Sequence, residues 1–342
     1  MRYKQLGRSG LVVSDLCLGT MIFGETGSRG TPPDEAERMI HRYLDAGGNH
    51  LDTADVYAGG RSEEIVGQTL KGLGGRRGEI ILATKVRFGT EDDPNGQGLS
   101  RHHIIEGAHA SLRRLQTDYI DLYYLHCWDP LTPLDESLRA FEDLVRDGKA
   151  RYIGVSNFKA WQLMKALAVS DTHGWVRFVA AQYQYSLVKR DIEYEFSDLC
   201  TSEGVSVTAW GPLGGGFLSG KYRPDQRPQS ASEGRIATSP DNEEESWARR
   251  ATERNWAILD VVGQIANARG VSYAQIALAW LRAQPFVASV ILGARTLEQL
   301  DDNLRAAEIA LTDDELSRLD SASALPELYP YRMIAEYGKR SL

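Results

Sequence analysis

The stretch "NHLDTADVYAGGRSE", residues 49–63, decides how this chain is read. It starts as the tail of an apolar strand and ends as the opening of a helix. That helix begins near Ser62 and places Ile65, Val66, Thr69, Leu70 and Leu73 on one face. A connection that only reversed the chain would need turn residues and nothing more. This one carries Asp52, Asp55 and Tyr57.

The strand-then-helix unit recurs along the chain. Short apolar runs occur at "DLCLGT", "NHLDT", "IILATK", "IDLYYLH", "RYIGVSN", "FVAAQ", "VSVTAW" and "ASVILG", eight in all. Most are near-continuous in apolar residues, the pattern of parallel strands covered on both faces. Helical periodicity fills the gaps, as in "DEAERMIHRYLDAGG", "SRHHIIEGAHASLRRL", "PLDESLRAFEDLVRDG" and "DIEYEFSDLCTSEG". Eight alternations of this size predict an α/β fold, a (β/α)8 TIM barrel in one domain spanning residues 1–342. The competing doubly wound sheet would prefer a G-x-G-x-x-G turn after its first strand, and "CLGTMIFG" is not one. "RYKQL" and "LVV", joined through Arg8-Ser9-Gly10, predict an N-terminal β-hairpin. After strand seven, residues 211–250 lose periodicity and become rich in Gly, Pro and Ser, which predicts a long loop that is a lid, a binding loop or disordered. The C-terminal "LPELYPYRMIAEYGKRSL" reads as an irregular tail.

Composition narrows the partners. Among 342 residues, 42% are hydrophobic and 25% charged, and the net charge is 39 − 47 = −8. That balance disfavours wrapping of nucleic acid or attachment to an anionic membrane. Cys17, Cys127 and Cys200 form neither a disulfide framework nor a cysteine zinc motif. "MRYKQLGRSG" lacks an apolar signal region, so a cytoplasmic location is expected. Oligomeric state is left open by these features.

Barrel active sites lie at the C-terminal ends of the strands. Those ends carry Thr20, Asp52, Lys85, His126, Ser156-Asn157, Gln182, Trp210 and Gly293. So many polar ends on one rim are not a requirement of the barrel. A glycosidase needs two facing carboxylates, and only one strand end offers one. Metal-assisted hydrolysis needs several ligands, whereas here a lysine stands beside one Asp and one His, and no metal is expected. A lysine cation beside a tyrosine is expected to lower the phenol pKa, with an aspartate holding the lysine charged. His126 can donate to a substrate oxygen. The set suits protonation of a carbonyl oxygen while a nucleophile is delivered to its carbon, and a nicotinamide hydride fits that need. Ser156, Asn157 and Gln182 suit a carboxamide, Trp210 a stacked ring, and "GPLGGG" a pyrophosphate. "GARTLEQLDDN" opens a helix after the last strand, an anion site.

At this point the chain resembles the aldo-keto reductases, across nearly its whole length and in motif order. The matching stretches are "LDTADVYAGGRSEEIVG", "LATK", "IDLYYLH", "GKARYIGVSNF" and "GARTLEQLDDN". Trp210 and the long loop are most similar to the bacterial branch related to potassium-channel β subunits, with Met21 where an aromatic residue is common. The resemblance implies a catalytic tetrad of Asp52, Tyr57, Lys85 and His126, with Tyr57 as the acid. It implies NADPH (NADP+) held by Thr20, Met21, Asp52, Ser156, Asn157 and Gln182, and by Trp210, Gly211, Pro212, Leu213, Gly214 and Gly216. Lys221, Arg235, Gly293, Arg295, Gln299, Asp302 and Asn303 complete the cofactor set. The loop after strand seven would clasp the cofactor. Phe23, Tyr57, His126 and Trp128 are expected to enclose a small-molecule carbonyl substrate.

Each residue alone has a plainer reading. Tyr57 and Trp128 suit rim packing, and Asp52 with Lys85 suits a structural ion pair. The run Asp241 to Glu245 and the pair His102-His103 are expected to be solvated. Two other functions fit parts of the pattern: an NADPH-binding protein that reports redox state to a partner, and a cofactor-free lyase or isomerase. The complete tetrad favours carbonyl reduction over both.

Overall fold

A computed structural model describes residues 1–27, 30–89, 93–230, 234–241, 243 and 245–338. Strands β1 (Tyr3–Gln5) and β2 (Val12–Ser14) form the expected antiparallel hairpin. The eight apolar runs become β3 (Leu16–Gly19), β4 (His50–Asp52), β5 (Ile81–Val86), β6 (Ile120–Leu125), β7 (Ala150–Ser156), β8 (Phe178–Gln184), β9 (Ser206–Trp210) and β10 (Val287–Leu292). They pair in parallel and in chain order, and β10 returns to β3 to close the barrel. Closure leaves no open sheet edge.

Side chains alternate in and out along each strand. The lower interior is small and apolar: Ala83, Leu122, Tyr124, Ala180 and Ala288 pack with Leu6 and Val13 of the hairpin, which plugs the bottom. Lys4 Nζ fastens the plug by donating to the carbonyls of Arg282 and Val287, each at 2.8 Å. One layer up, the Tyr124 hydroxyl meets Thr208 Oγ1 across the barrel at 3.2 Å. Gly154 on β7 permits that crossing, because a Cβ there would lie 2.3 Å from the Tyr124 ring. The same alternation aims Lys85, Gln182, Trp210 and, just past β6, His126 at the top of the interior. The outer faces are covered by helices. α1 is Pro33–Asp45, α2 is Arg61–Gly72, α3 is Arg101–Leu115 and α4 is Leu134–Arg146. Phe141 of α4 stacks on Tyr123 of β6 at 5.1 Å, typical of this outer layer. α5 is Ala160–His173 and α6 is Phe196–Glu203. A short 3-10 turn at Asp191–Tyr194 precedes α6, so the expected single helix is broken there.

Among the described residues, the segment after β9 carries a short 3-10 turn at Phe217–Ser219 and two four-residue helices, α7 (Arg235–Thr238) and α8 (Trp247–Arg250). It is followed by α9 (Glu253–Arg269), α10 (Tyr273–Ala283), α11 (Leu297–Leu304) and α12 (Asp313–Ala322). The tail read as irregular contains a helix, α13 (Tyr331–Tyr337). Its apolar residues Met333, Ile334 and Tyr337 are exposed, so no buried stripe marks it in the sequence. Among the described residues no helix is long and apolar enough to cross a membrane.

Candidate active site

A cavity of about 960 Å³ opens at the C-terminal ends of the strands. Pockets for small ligands run from about 300 to 1,000 Å³, so this one exceeds the need of a small carbonyl compound alone. Asp52 ends β4, and Lys85 lies on β5 with its side chain wholly buried. Lys85 Nζ donates to Asp52 Oδ1 at 2.5 Å, to the Thr53 carbonyl at 2.7 Å and to the Tyr57 hydroxyl at 3.3 Å. All three ammonium protons are thereby used, and the lysine is held between a carboxylate and a phenol. Gln182 Nε2 donates to Asp52 Oδ2 at 2.7 Å, which fixes the carboxylate from the other side. Tyr57 reaches the group from the loop after β4, whose tight path puts Ala58 at φ 49°. The His126 ring meets Tyr57 edge-on at 5.9 Å and Phe88 at 5.0 Å.

Burial sets the charge states. It works against the Lys85 charge, yet Asp52 and Tyr57 outweigh it and the lysine pKa is raised. Burial, and then Lys85, push the His126 imidazole well below its ordinary value, so it is neutral near pH 7 with one N–H to give. Its Nδ1 is buried without a hydrogen-bond partner among the described residues. The Tyr57 phenol departs from the sequence expectation. Burial pushes its pKa up by more than Lys85 pulls it down, so the net direction is upward. The tyrosine therefore stays a protonated phenol, with the Lys85 ammonium beside its oxygen.

Most of the expected cofactor residues line the same cavity. Met21, Asp52, Ser156, Asn157, Gln182 and Trp210 line it together with Tyr57 and His126. Gly211, Pro212, Leu213, Gly216, Lys221 and Arg235 line it from the segment after β9, and Gly293, Arg295, Gln299, Asp302 and Asn303 from the segment after β10. Asn157 takes a left-handed φ of 53°, uncommon for a residue other than glycine, and its Nδ2 donates to the His126 carbonyl at 2.9 Å. Gly211, Gly215 and Gly216 all have positive φ, a conformation glycine alone adopts freely, so this turn presents bare backbone to the cavity. That cradle, with Arg235, Lys221 and Arg295 along one channel, fits a dinucleotide.

Four of the expected cofactor and substrate residues do not line it. Thr20 is buried, with its hydroxyl on the Asp52 carbonyl and Ser62, so it braces the strand end. Gly214 faces away, toward Val188 and Arg250. Phe23 is fully buried in the main core, because residues 23 and 31 form a bridge that turns its ring inward. Trp128 packs against Phe158 and Trp161 outside the cavity wall. Their places on the wall are taken by Ile22 and Phe88, one residue from Phe23 and three from Lys85. Phe88 was legible as an aromatic just past a strand end. Glu245 was not, since it closes an acidic run expected to be solvated. It is 4% exposed and lines the cavity. Of the histidine pair, His103 is also buried.

The buried Lys-Asp pair under a tyrosine, in a cavity with room beyond a small carbonyl compound, suits reduction of a carbonyl by a nicotinamide cofactor. Comparison with known proteins agrees. The Aldo/keto reductase family model matches residues 15–324. The chain is 39% identical over 327 residues to the uncharacterized oxidoreductase YrpG of Bacillus subtilis, covering 93% of this chain and 94% of that one. It is 37% identical over 325 residues to a probable voltage-gated potassium channel subunit beta of rice, covering 94% and 96%. It is 34% identical over 350 residues to the versiconal hemiacetal acetate reductase of Aspergillus parasiticus, covering 96% and 99%. The chain belongs to the aldo/keto reductase family and is an NAD(P)H-dependent oxidoreductase.

Proposed function

We propose that this chain reduces an aldehyde or ketone to an alcohol with NADPH, and that Tyr57 supplies the proton. The observation that carries the reading is Lys85, buried and hydrogen-bonded to both Asp52 and Tyr57. NADPH, when bound, supplies the hydride. The substrate carbonyl oxygen sits between the Tyr57 hydroxyl and the His126 ring, and both donate to it. As charge builds on that oxygen, Tyr57 transfers its proton, and the phenolate left behind lies against the Lys85 ammonium. Asp52 and Gln182 keep Lys85 in register throughout. Met21, Ile22 and Phe88 exclude water from the same end of the cavity. Arg295, at the opening of α11, is the candidate cation for the 2′-phosphate, with Gln299 one turn on.

The test is decay of NADPH absorbance with a panel of aldehydes, for wild type and Tyr57→Phe. The variant keeps the ring and loses the proton, so turnover should fall by about 10²–10⁴ while NADPH affinity barely changes. Turnover within a few-fold of wild type would mean that another group is the acid. A protein that bound NADPH only to report redox state would bind it without decay under any substrate.

A further inference from the structure

The middle of the cofactor channel holds a carboxylate that the mechanism does not use. Glu245 is 4% exposed, and its side chain points at the cavity between α7 and α8. Oε2 pairs with Arg235 Nη1 at 2.9 Å, and Oε1 accepts from Gln184 Nε2 at 3.3 Å. Gln184 ends β8, so the glutamate ties the arm that carries Arg235 down to the barrel. The carboxylate also rests on the glycine turn. A Cβ at Gly211 would come within 3.0 Å of Oε1, and one at Gly215 within 3.6 Å of Cδ. An anion is therefore already seated against the turn and the arginine that suit an incoming phosphate.

The geometry points to Glu245 as a resident anion that the dinucleotide phosphate must displace, and so as the positioning residue that sets how tightly the cofactor is held and how fast it leaves. This rests on the NADPH reading above. In the empty cavity Glu245 keeps Arg235 paired and the arm closed on the barrel. When the pyrophosphate enters the middle of the channel, Arg235 exchanges one anion for another. Among its described partners the buried carboxylate then keeps Gln184, and it faces a second negative group a few ångströms away. Both effects weaken binding. On release Glu245 recaptures Arg235, which favours departure of the cofactor. A carboxylate that latched the arm over the bound cofactor would behave in the opposite sense, since its loss would loosen binding.

The test uses the full chain and Glu245→Gln, which keeps the shape and the Gln184 contact without the charge. NADPH affinity is read by tryptophan fluorescence and release by chase with excess NADP+, and inorganic pyrophosphate is titrated as a competitor. Glu245→Gln should bind NADPH roughly 10- to 100-fold tighter, the range of one charge-assisted contact, with slower release. Pyrophosphate should gain alongside it, which a general change in folding would not produce. Glu245→Asp, which keeps the charge and shortens its reach by one methylene, should shift the same way by less, and it carries the test if the Gln variant misfolds. Unchanged or weaker NADPH binding by these variants, with wild type binding normally, would overturn the assignment of Glu245 alone. A wild type that fails to bind NADPH would overturn the cofactor reading and this inference with it.

Discussion

Replacing Lys85 by methionine isolates the group on which the proposed chemistry turns. The variant keeps a long apolar stem in the barrel and removes the ammonium 3.3 Å from the Tyr57 hydroxyl. At that distance and an effective dielectric near 20, the attraction between the ammonium and a full phenolate is on the order of 5 kcal/mol. With about half of that charge developed at the transition state, the loss corresponds to roughly a 10²-fold fall in turnover. The substitution also strips Asp52 Oδ1 of its 2.5 Å partner and leaves Gln182 alone on the other oxygen. Breaking a buried pair in this way costs roughly 3–5 kcal/mol of stability, so the fold is checked by melting before kinetics are read. The pH–rate profile separates the two effects. Reduction falls at alkaline pH as the phenol loses its proton. Without the cation that loss occurs at higher pH, so the alkaline limb should move up while the plateau drops. A folded Lys85→Met protein with an unaltered profile and turnover within a few-fold of wild type would refute the role given to this lysine.

Two further outcomes follow from neighbouring groups. Arg295→Ala should weaken NADPH by about 10-fold or more and leave NADH little changed, as measured by the dissociation constant of each cofactor. Equal losses for both would remove Arg295 from the 2′-phosphate. Asp55 is 3% exposed, has Oδ1 without a partner among the described residues, and is pushed up to about 8, first by burial and then by Glu63. Its unfolded value is about 3.9, so the native chain keeps a proton that the unfolded chain sheds, and stability falls as pH rises between about 4 and about 8. Asp55→Asn should abolish that slope and melt progressively higher than wild type as the pH approaches 8; parallel melting curves over this range would contradict the assignment.

The sequence made the barrel and three of the four candidate catalytic positions legible for one physical reason. Inward residues recur with period two, and Asp52, Lys85 and His126 each sit at the open end of an apolar run. Where a residue lies off that alternation, reading becomes harder. Phe23 and Ile22 are neighbours on one short loop, and only the bridge between residues 23 and 31 decides which of them faces the cavity. Trp128 is two positions beyond His126, where the chain has already left the strand and its ring joins Phe158 and Trp161. Glu245 was hidden most completely. An acidic run in a polar segment reads as solvated, and its burial depends on Gln184 and Arg235, which lie 61 and 10 positions away in the chain. For Tyr57 the sequence names the lysine, which does pull the phenol pKa down, but not the burial whose upward push is larger.

The most direct test of the account follows the hydride itself. The protein is given NADPH carrying deuterium at both C4 positions of the nicotinamide, with an aldehyde that it turns over, and the alcohol is analysed by mass spectrometry. The account predicts one deuterium on the former carbonyl carbon of each product molecule, and strict dependence of product on the cofactor. Alcohol free of deuterium, or product formed without NADPH, would contradict it.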